Sequence, residues 1–142
     1  MKHFVIPGPP RGKGRARSTR SGIHYTDKKT RMYESHVLDS YLRVYPSADP
    51  LEGAISISII AYLQRPKSHF GTGKNAGKQK ASAPDYPTVT PDIDNIEKSI
   101  LDGLNKFAFL DDKQVVMLTS HKFYALTVPC VIVEIDEMRP LT

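Results

Sequence analysis

The chain has 142 residues, is 39% hydrophobic and carries a formal net charge of +5, which together allow one domain with a single modest core. The sequence argues against a membrane-spanning protein, because no apolar run approaches the roughly 18 to 20 residues of a bilayer helix. The short N-terminal apolar run is broken by Pro7 and is unlike a secretory signal peptide. The single cysteine, Cys130, excludes an intrachain disulfide and a cysteine-based zinc site, so a cytoplasmic protein is predicted.

The first predicted elements are a short strand and a long helix. Residues 3–6 predict a strand that ends at the Pro7-Gly8-Pro9-Pro10 run, and residues 11–26, rich in Arg, Lys, Gly and Ser, predict a loop or a loose hairpin. A helix is predicted to begin after an N-cap at Asp27 and to end before Pro46. Its predicted face, at spacings near 3.6 residues, consists of Met32, Tyr33, His36, Val37, Tyr41 and Val44.

The middle of the chain contains the clearest strand and the longest loop. Residues 53–63 alternate apolar and small polar side chains, with Ile55, Ile57 and Ile59 on one face. Residues 65–91 are rich in Gly and Pro and predict a loop, which is either a flexible DNA-clasping loop or a mobile insertion.

The C-terminal third predicts a helix followed by two strands. The helix covers residues 93–106, and the strands cover 114–124 and 128–136, with a possible hairpin across 125–127. The apolar face of this helix consists of Ile93, Ile96, Ile100, Leu101 and Leu104. The whole chain, residues 1–142, is therefore predicted to form one small α/β domain (mixed α+β), with a sheet of about four strands and two main helices.

Charge is distributed unevenly along the chain. Residues 1–31 hold nine Lys and Arg against one acid, and residues 65–80 hold five Lys and Arg and no acid. These segments carry +8 and +5, so the rest of the chain carries −8 to give the net +5. The pattern suits a protein that grips a polyanion with one surface and holds cations with another.

Two pairs of aspartates are the candidates for cation binding. Asp92 and Asp94 begin the second helix, where N-capping would explain one or both of them. Asp111 and Asp112 precede a strand, where a turn requires only one of them. Mg²⁺ prefers oxygen ligands and takes a few protein carboxylates. No His and Cys cluster competes for a metal, so three or four of these aspartates, brought together by the fold, are predicted to form a magnesium site.

Lys98 follows Asp94 by four residues, on the same face of the predicted helix. One interpretation is a surface ion pair, which contributes only a few tenths of a kcal/mol. The other places an ammonium beside the metal site, where it stabilises the phosphate transition state or protonates a leaving oxygen. Asp102 lies one turn further along and is left out of the predicted site.

The ordered combination of these motifs resembles the RusA family of Holliday-junction endonucleases. The family pattern D-x-D-N-x-x-K, D-x-L and D-D-x-Q is similar to Asp92-Ile93-Asp94-Asn95-Ile96-Glu97-Lys98, Asp102-Gly103-Leu104 and Asp111-Asp112-Lys113-Gln114. The family's opening resembles Pro9-Pro10-Arg11-Gly12-Lys13-Gly14-Arg15-Ala16-Arg17 and Tyr25-Thr26. The resemblance runs, with gaps, from about residue 4 to residue 124.

The resemblance implies a homodimeric, Mg²⁺-dependent endodeoxyribonuclease, often encoded by a phage or prophage, that resolves four-way DNA junctions in recombination and repair. Mn²⁺ is expected to substitute for Mg²⁺. The resemblance also implies roles for single residues. The metal ligands are Asp92, Asp94 and Asp112, the catalytic lysine is Lys98, Asp111 is a supporting or turn residue, and the DNA contacts are Lys13, Arg15 and Arg17.

Other functions stay open at this point. A nucleic-acid-binding module without catalysis would explain the basic segments but not the aspartates. A metal-dependent nuclease for flaps, single strands or RNA would use the same chemistry on another substrate. A basic interaction protein whose acids only cap helices is a third alternative.

Overall fold

The computed structural model describes residues 1–14 and 17–142. Six strands and two α-helices were assigned there. In chain order they are β1 (Lys2–Pro7), β2 (Arg17–Ser18), β3 (His24–Tyr25), α1 (Lys28–Val44), β4 (Ile55–Leu63), α2 (Ile93–Leu104), β5 (Val115–Tyr124) and β6 (Cys130–Glu137). The predicted α+β class, with a four-stranded mixed sheet and two main helices, is confirmed. The short β2–β3 pair is the loose hairpin predicted within residues 11–26.

The main sheet has the strand order β1-β6-β4-β5. β6 is antiparallel to both β1 and β4, and β4 is parallel to β5. The predicted hairpin between the last two strands is therefore wrong, because β4 lies between them. The chain passes over the end of β4, where Ala125 N donates to Leu63 O at 2.7 Å. Two strand spacings are only about 10 Å, which a five-residue connection can span.

β4 is one of the two inner strands of the sheet, and it buries one whole face. Ile55, Ile57, Ile59, Ala61 and Leu63 are all buried, and they join the core formed with the two helices. The alternate residues of β4 are half-buried, because no helix of the described residues covers that side of the sheet. The molecule thus has a helical layer on one face of the sheet and an open sheet face on the other.

α1 begins as predicted, with Asp27 as N-cap accepting a hydrogen bond from Thr30 N at 2.7 Å. Tyr33, Val37 and Tyr41 are buried as predicted, together with Thr30 and Ser40. The prediction was wrong for two further members of the apolar face, since Met32 is 62% exposed and Val44 is 52% exposed. The reason is the approach of α2, which turns the Val37 side of α1 inward.

α2 makes that approach at Gly103. A Cβ atom on Gly103 would lie 2.9 Å from both Glu34 O and Val37 Cβ, so only glycine fits between the helices. Ile96, Ile100 and Leu104 form the buried face. The helix ends two residues earlier than predicted, because Asn105 leaves the helical range with a ψ of 133° and Lys106 then adopts a left-handed φ of 72°.

The loop at residues 65–91 contains two single-turn 3-10 helices, at Lys67–His69 and Gly73–Asn75. Arg65 anchors its base by donating to Pro84 O at 2.7 Å while its guanidinium lies 4.2 Å from the centre of the Tyr124 ring. Whether this loop clasps DNA stays a prediction.

No helix within residues 1–14 and 17–142 is long and apolar enough to cross a bilayer.

Candidate active site

The first acidic pair lies at the start of α2. Asp92 occupies the N-cap position, but its side chain makes no capping hydrogen bond, and Asp94 lies in the first turn. Both side chains are exposed. Capping therefore does not account for either carboxylate, and both remain available at a helix end whose dipole favours negative charge.

Lys98 is exposed on the same helix. Its ammonium makes no hydrogen bond or ion pair with any residue in the described part of the chain. The surface ion pair with Asp94 is therefore not formed, and the ammonium is left free for a ligand.

The second acidic pair is held by a tight turn before β5. Asp111 accepts a hydrogen bond from Lys113 N at 2.9 Å, and Gln114 Oε1 accepts one from Asp111 N at 2.8 Å. The amide of Gln114 also donates to Leu51 O and Gly53 O, both at 2.9 Å. Asp111 and Gln114 thus build the turn and tie it to the segment before β4.

Asp112 is the acid whose carboxyl pKa is raised by its acidic neighbours. A hydrogen bond with Asp111 raises the pKa of the Asp112 carboxyl, and burial and the negative charges of Asp111 and Asp102 raise it further. The backbone hydrogen bond from Lys113 lowers the pKa of Asp111. A bound cation would relieve this repulsion between carboxylates.

A second group of charged residues, Lys13, Glu34 and Asp102, interacts with Asp112 through Asp102. The ammonium of Lys13 hydrogen-bonds to Asp102 on α2 and lies 3.7 Å from Glu34 Oε1 on α1. Burial raises the pKa of Glu34, which the charge of Lys13 partly offsets. Sequence reasoning assigned Lys13 to DNA, left out Asp102 and did not single out Glu34. No local pattern marks Glu34, which lies within a regular helix.

Residues 11–14, which we name the N-terminal clasp, lie across the first half of α2. Ser99 Oγ donates to Arg11 O at 2.8 Å, and Lys13 N donates to Asn95 O at 3.0 Å. A Cβ atom on Gly12 would lie 2.9 Å from Asn95 Cβ, so glycine permits this approach. The clasp brings the basic N-terminal region next to the acidic start of α2. Of the other predicted DNA contacts, Arg15 and the Arg17 side chain lie outside the described residues.

The acids are not gathered into one tight cluster. Within residues 1–14 and 17–142, no three His, Cys, Asp or Glu side chains form a group that could hold a metal ion. Asp112 and Asp102 interact electrostatically, while Asp92 and Asp94 lie at the other end of α2. The chemistry of the free carboxylates nevertheless fits Mg²⁺, which binds through one or two carboxylates and completes its shell with waters and phosphate oxygens.

Comparison with known proteins places these residues in a family context. The family model described as "Endodeoxyribonuclease RusA" matches residues 7–136, a range that includes every predicted site residue. A protein of Bacillus subtilis (strain 168), named "Uncharacterized protein YqaN", is 32% identical over 124 residues, which cover 86% of this chain and 87% of that protein.

Proposed function

The chain belongs to the RusA family of endodeoxyribonucleases, and from this premise we propose that it resolves Holliday junctions by paired symmetric nicks. The observation that carries the proposal is that the functional groups of three residues of the D-x-D-N-x-x-K motif have no partner in the described protein. The side chains of Asp92, Asp94 and Lys98 are exposed and make no hydrogen bond or ion pair with any residue of the described chain, although each had a simple structural explanation. Residues with free functional groups in the order of a nuclease motif are best explained by a ligand.

We propose Mg²⁺ as the cofactor, with Mn²⁺ able to substitute, and Asp92, Asp94 and Asp112 as the residues that would hold it. The ion, when bound, supplies a hydroxide-like nucleophile at neutral pH and neutralises charge on the phosphate. The turn built by Asp111 and Gln114 positions Asp112 by fixing its backbone.

Lys98 provides the fixed positive charge. It follows Asp94 by one turn of α2, so its ammonium reaches the same side of the helix. An unpaired ammonium there stabilises the extra negative charge of the pentacovalent phosphate, or donates a proton to the departing oxygen.

A two-fold homodimer is proposed from the symmetry of the substrate. Two related cuts in a four-way junction require two active sites related by about the same two-fold axis. The open sheet face offers a surface for this contact, because Val5, Ile132 and Ile60 lie side by side across three adjacent strands. The mass of the protein in solution would establish the stoichiometry.

The proposal is tested by cleavage of a synthetic four-way junction in Mg²⁺, set beside a linear duplex and a flap of the same sequence. Paired symmetric nicks in the junction alone are expected. Cutting of the flap or duplex instead would keep the metal-dependent chemistry and reject the resolvase assignment. Tight junction binding with no cutting of any substrate would favour a binding module without catalysis.

A further inference from the structure

A continuous groove follows the exposed side of α1. It consists of three adjoining cavities of about 330, 310 and 470 Å³. The first two share Arg11 and Lys29 in their walls, and the second and third share Met32 and His36. We name these joined cavities the α1 groove.

The walls of the α1 groove are rich in cations. They include Arg11, Lys28, Lys29 and Arg31, with Asp27 near one end and Asp39 near the other. The side chains of Lys28, Lys29 and Arg31 are exposed, and no hydrogen bond or ion pair joins these side chains to another residue of the described chain. Their charges are therefore available to a ligand.

Lys13 differs from these residues in this respect. Its ammonium is occupied by the carboxylates of Asp102 and Glu34, and only 32% of its side chain is exposed. Among the basic residues near the acids, those of the α1 groove are thus better able than Lys13 to neutralise phosphates.

The α1 groove leads directly to the proposed active site. Thr90 and Pro91 line its first cavity, and Asp92 follows Pro91 in the chain. From Asp27 to Asp39 the groove covers 12 helical steps, or about 18 Å along α1. A DNA strand places about five phosphates in that length, at roughly 3.4 Å per phosphate along the duplex axis.

We propose that the α1 groove binds the phosphodiester backbone of the DNA arm that adjoins the cleaved phosphate. This inference rests on the proposed nuclease function and adds the path of the substrate away from the acids. The groove is long enough for about five phosphates of one strand and lies next to the proposed active site. Its unpaired cations have the charge needed to neutralise those phosphates. Backbone contacts of this kind fix the position of the arm without reading its sequence.

The test compares two double variants that each remove two positive charges. Lys29→Ala/Arg31→Ala changes the α1 groove, whereas Arg43→Ala/Arg139→Ala changes exposed cations that do not line it. Junction affinity is measured from 50 to 200 mM salt without Mg²⁺. Losing two phosphate contacts makes the slope of log affinity against log salt less steep by about 1.8. Between 50 and 200 mM salt, the fold-loss of junction affinity should therefore be about 12 times smaller for the groove variant than for the wild type. The control variant should keep the wild-type slope.

Neutral methylphosphonates locate the contact. Placed one to five nucleotides from the cut, they should weaken binding by the wild-type protein and have little effect on the groove variant. A groove variant with the control's salt slope and the wild-type response to methylphosphonates would overturn the inference, even if the protein cuts junctions. A changed slope in a protein that cuts no DNA would support the groove and reject the proposed nuclease function.

Discussion

The ammonium of Lys13 hydrogen-bonds to the carboxylate of Asp102, joining the N-terminal clasp to α2 across 89 residues of sequence. Glu34 on α1 completes the contact, so a single cation holds two helices and the basic N-terminal region together. The clasp crosses α2 between this ion pair and the acidic start of the helix, which means that the pair also helps to position the active site.

Replacement of Lys13 by Met should destabilise the fold. The change leaves two half-buried carboxylates without their cation, and because the cluster is about one-third exposed we expect a loss of about 1–2 kcal/mol, below that of a fully buried pair. Urea unfolding measures the difference. Lys28→Met is the matched control, since Lys28 is exposed and forms no ion pair with a described residue. Equal stability of the two variants would mean that the Lys13 cluster does not hold the clasp.

Gly103→Ala should also reduce stability, for a steric reason. The added methyl group would lie 2.9 Å from Glu34 O, so α1 and α2 must separate. Overpacking of this kind typically costs about 1–3 kcal/mol. Thermal unfolding beside Ser35→Ala, a change at an exposed position of α1, measures the effect. A variant as stable as the wild type would show that the helices can move apart at little cost.

Local periodicity explains how much of this fold was predictable. β4 alternates because one face is buried against the helices, and α2 repeats Ile and Leu at helical spacing for the same reason. Strand order is a different matter. The short connection between β5 and β6 resembles a hairpin in the sequence. In the structure β4 lies between these two strands and pairs with both of them.

The same distinction applies to the site. Asp92, Asp94, Lys98 and Asp112 lie in two short motifs, so the sequence alone is enough to single them out. The contact of Lys13 with Asp102 and Glu34 joins three distant parts of the chain, and its formation depends on the helix packing at Gly103. Long-range packing of this kind leaves no local pattern.

Tyr33 predicts a dependence of stability on alkaline pH. Burial raises the pKa of its hydroxyl to about 12, from 10.0. Between these values the unfolded chain loses a proton that the folded protein keeps, so this contribution to stability is complete below pH 10 and falls by about 1.4 kcal/mol per pH unit above it. Tyr33→Phe should show a shallower decline in urea midpoints from pH 9 to 11, and Tyr25→Phe, at an exposed position, should keep the wild-type decline. Parallel curves for Tyr33→Phe and the wild type would contradict the raised pKa.

Asp94→Asn should abolish junction cleavage and retain junction binding. The amide is a weaker cation ligand than the carboxylate, and removing a negative charge that faces phosphate does not weaken DNA binding. We expect single-turnover cleavage to fall by at least about 100-fold, a typical scale for loss of a charge-stabilising group. Asp85→Asn, which changes an exposed loop acid, is the control and should cleave normally. Strong residual cleavage by Asp94→Asn would remove Asp94 from the proposed ligands.

Lys98→Ala separates catalysis from binding more sharply. The wild-type ammonium has no partner in the described chain and is exposed, so its removal leaves no buried group unsatisfied and should not change the free energy of unfolding by more than about 0.5 kcal/mol. If the ammonium acts on the phosphate transition state, the single-turnover cleavage rate at saturating protein should fall about 100- to 1,000-fold, with junction affinity lowered less than about tenfold. Arg139→Ala removes another exposed cation and should preserve the rate. A loss of affinity equal to the loss of rate would instead make Lys98 a phosphate-binding residue, because the interaction would then be as strong in the bound substrate as in the transition state.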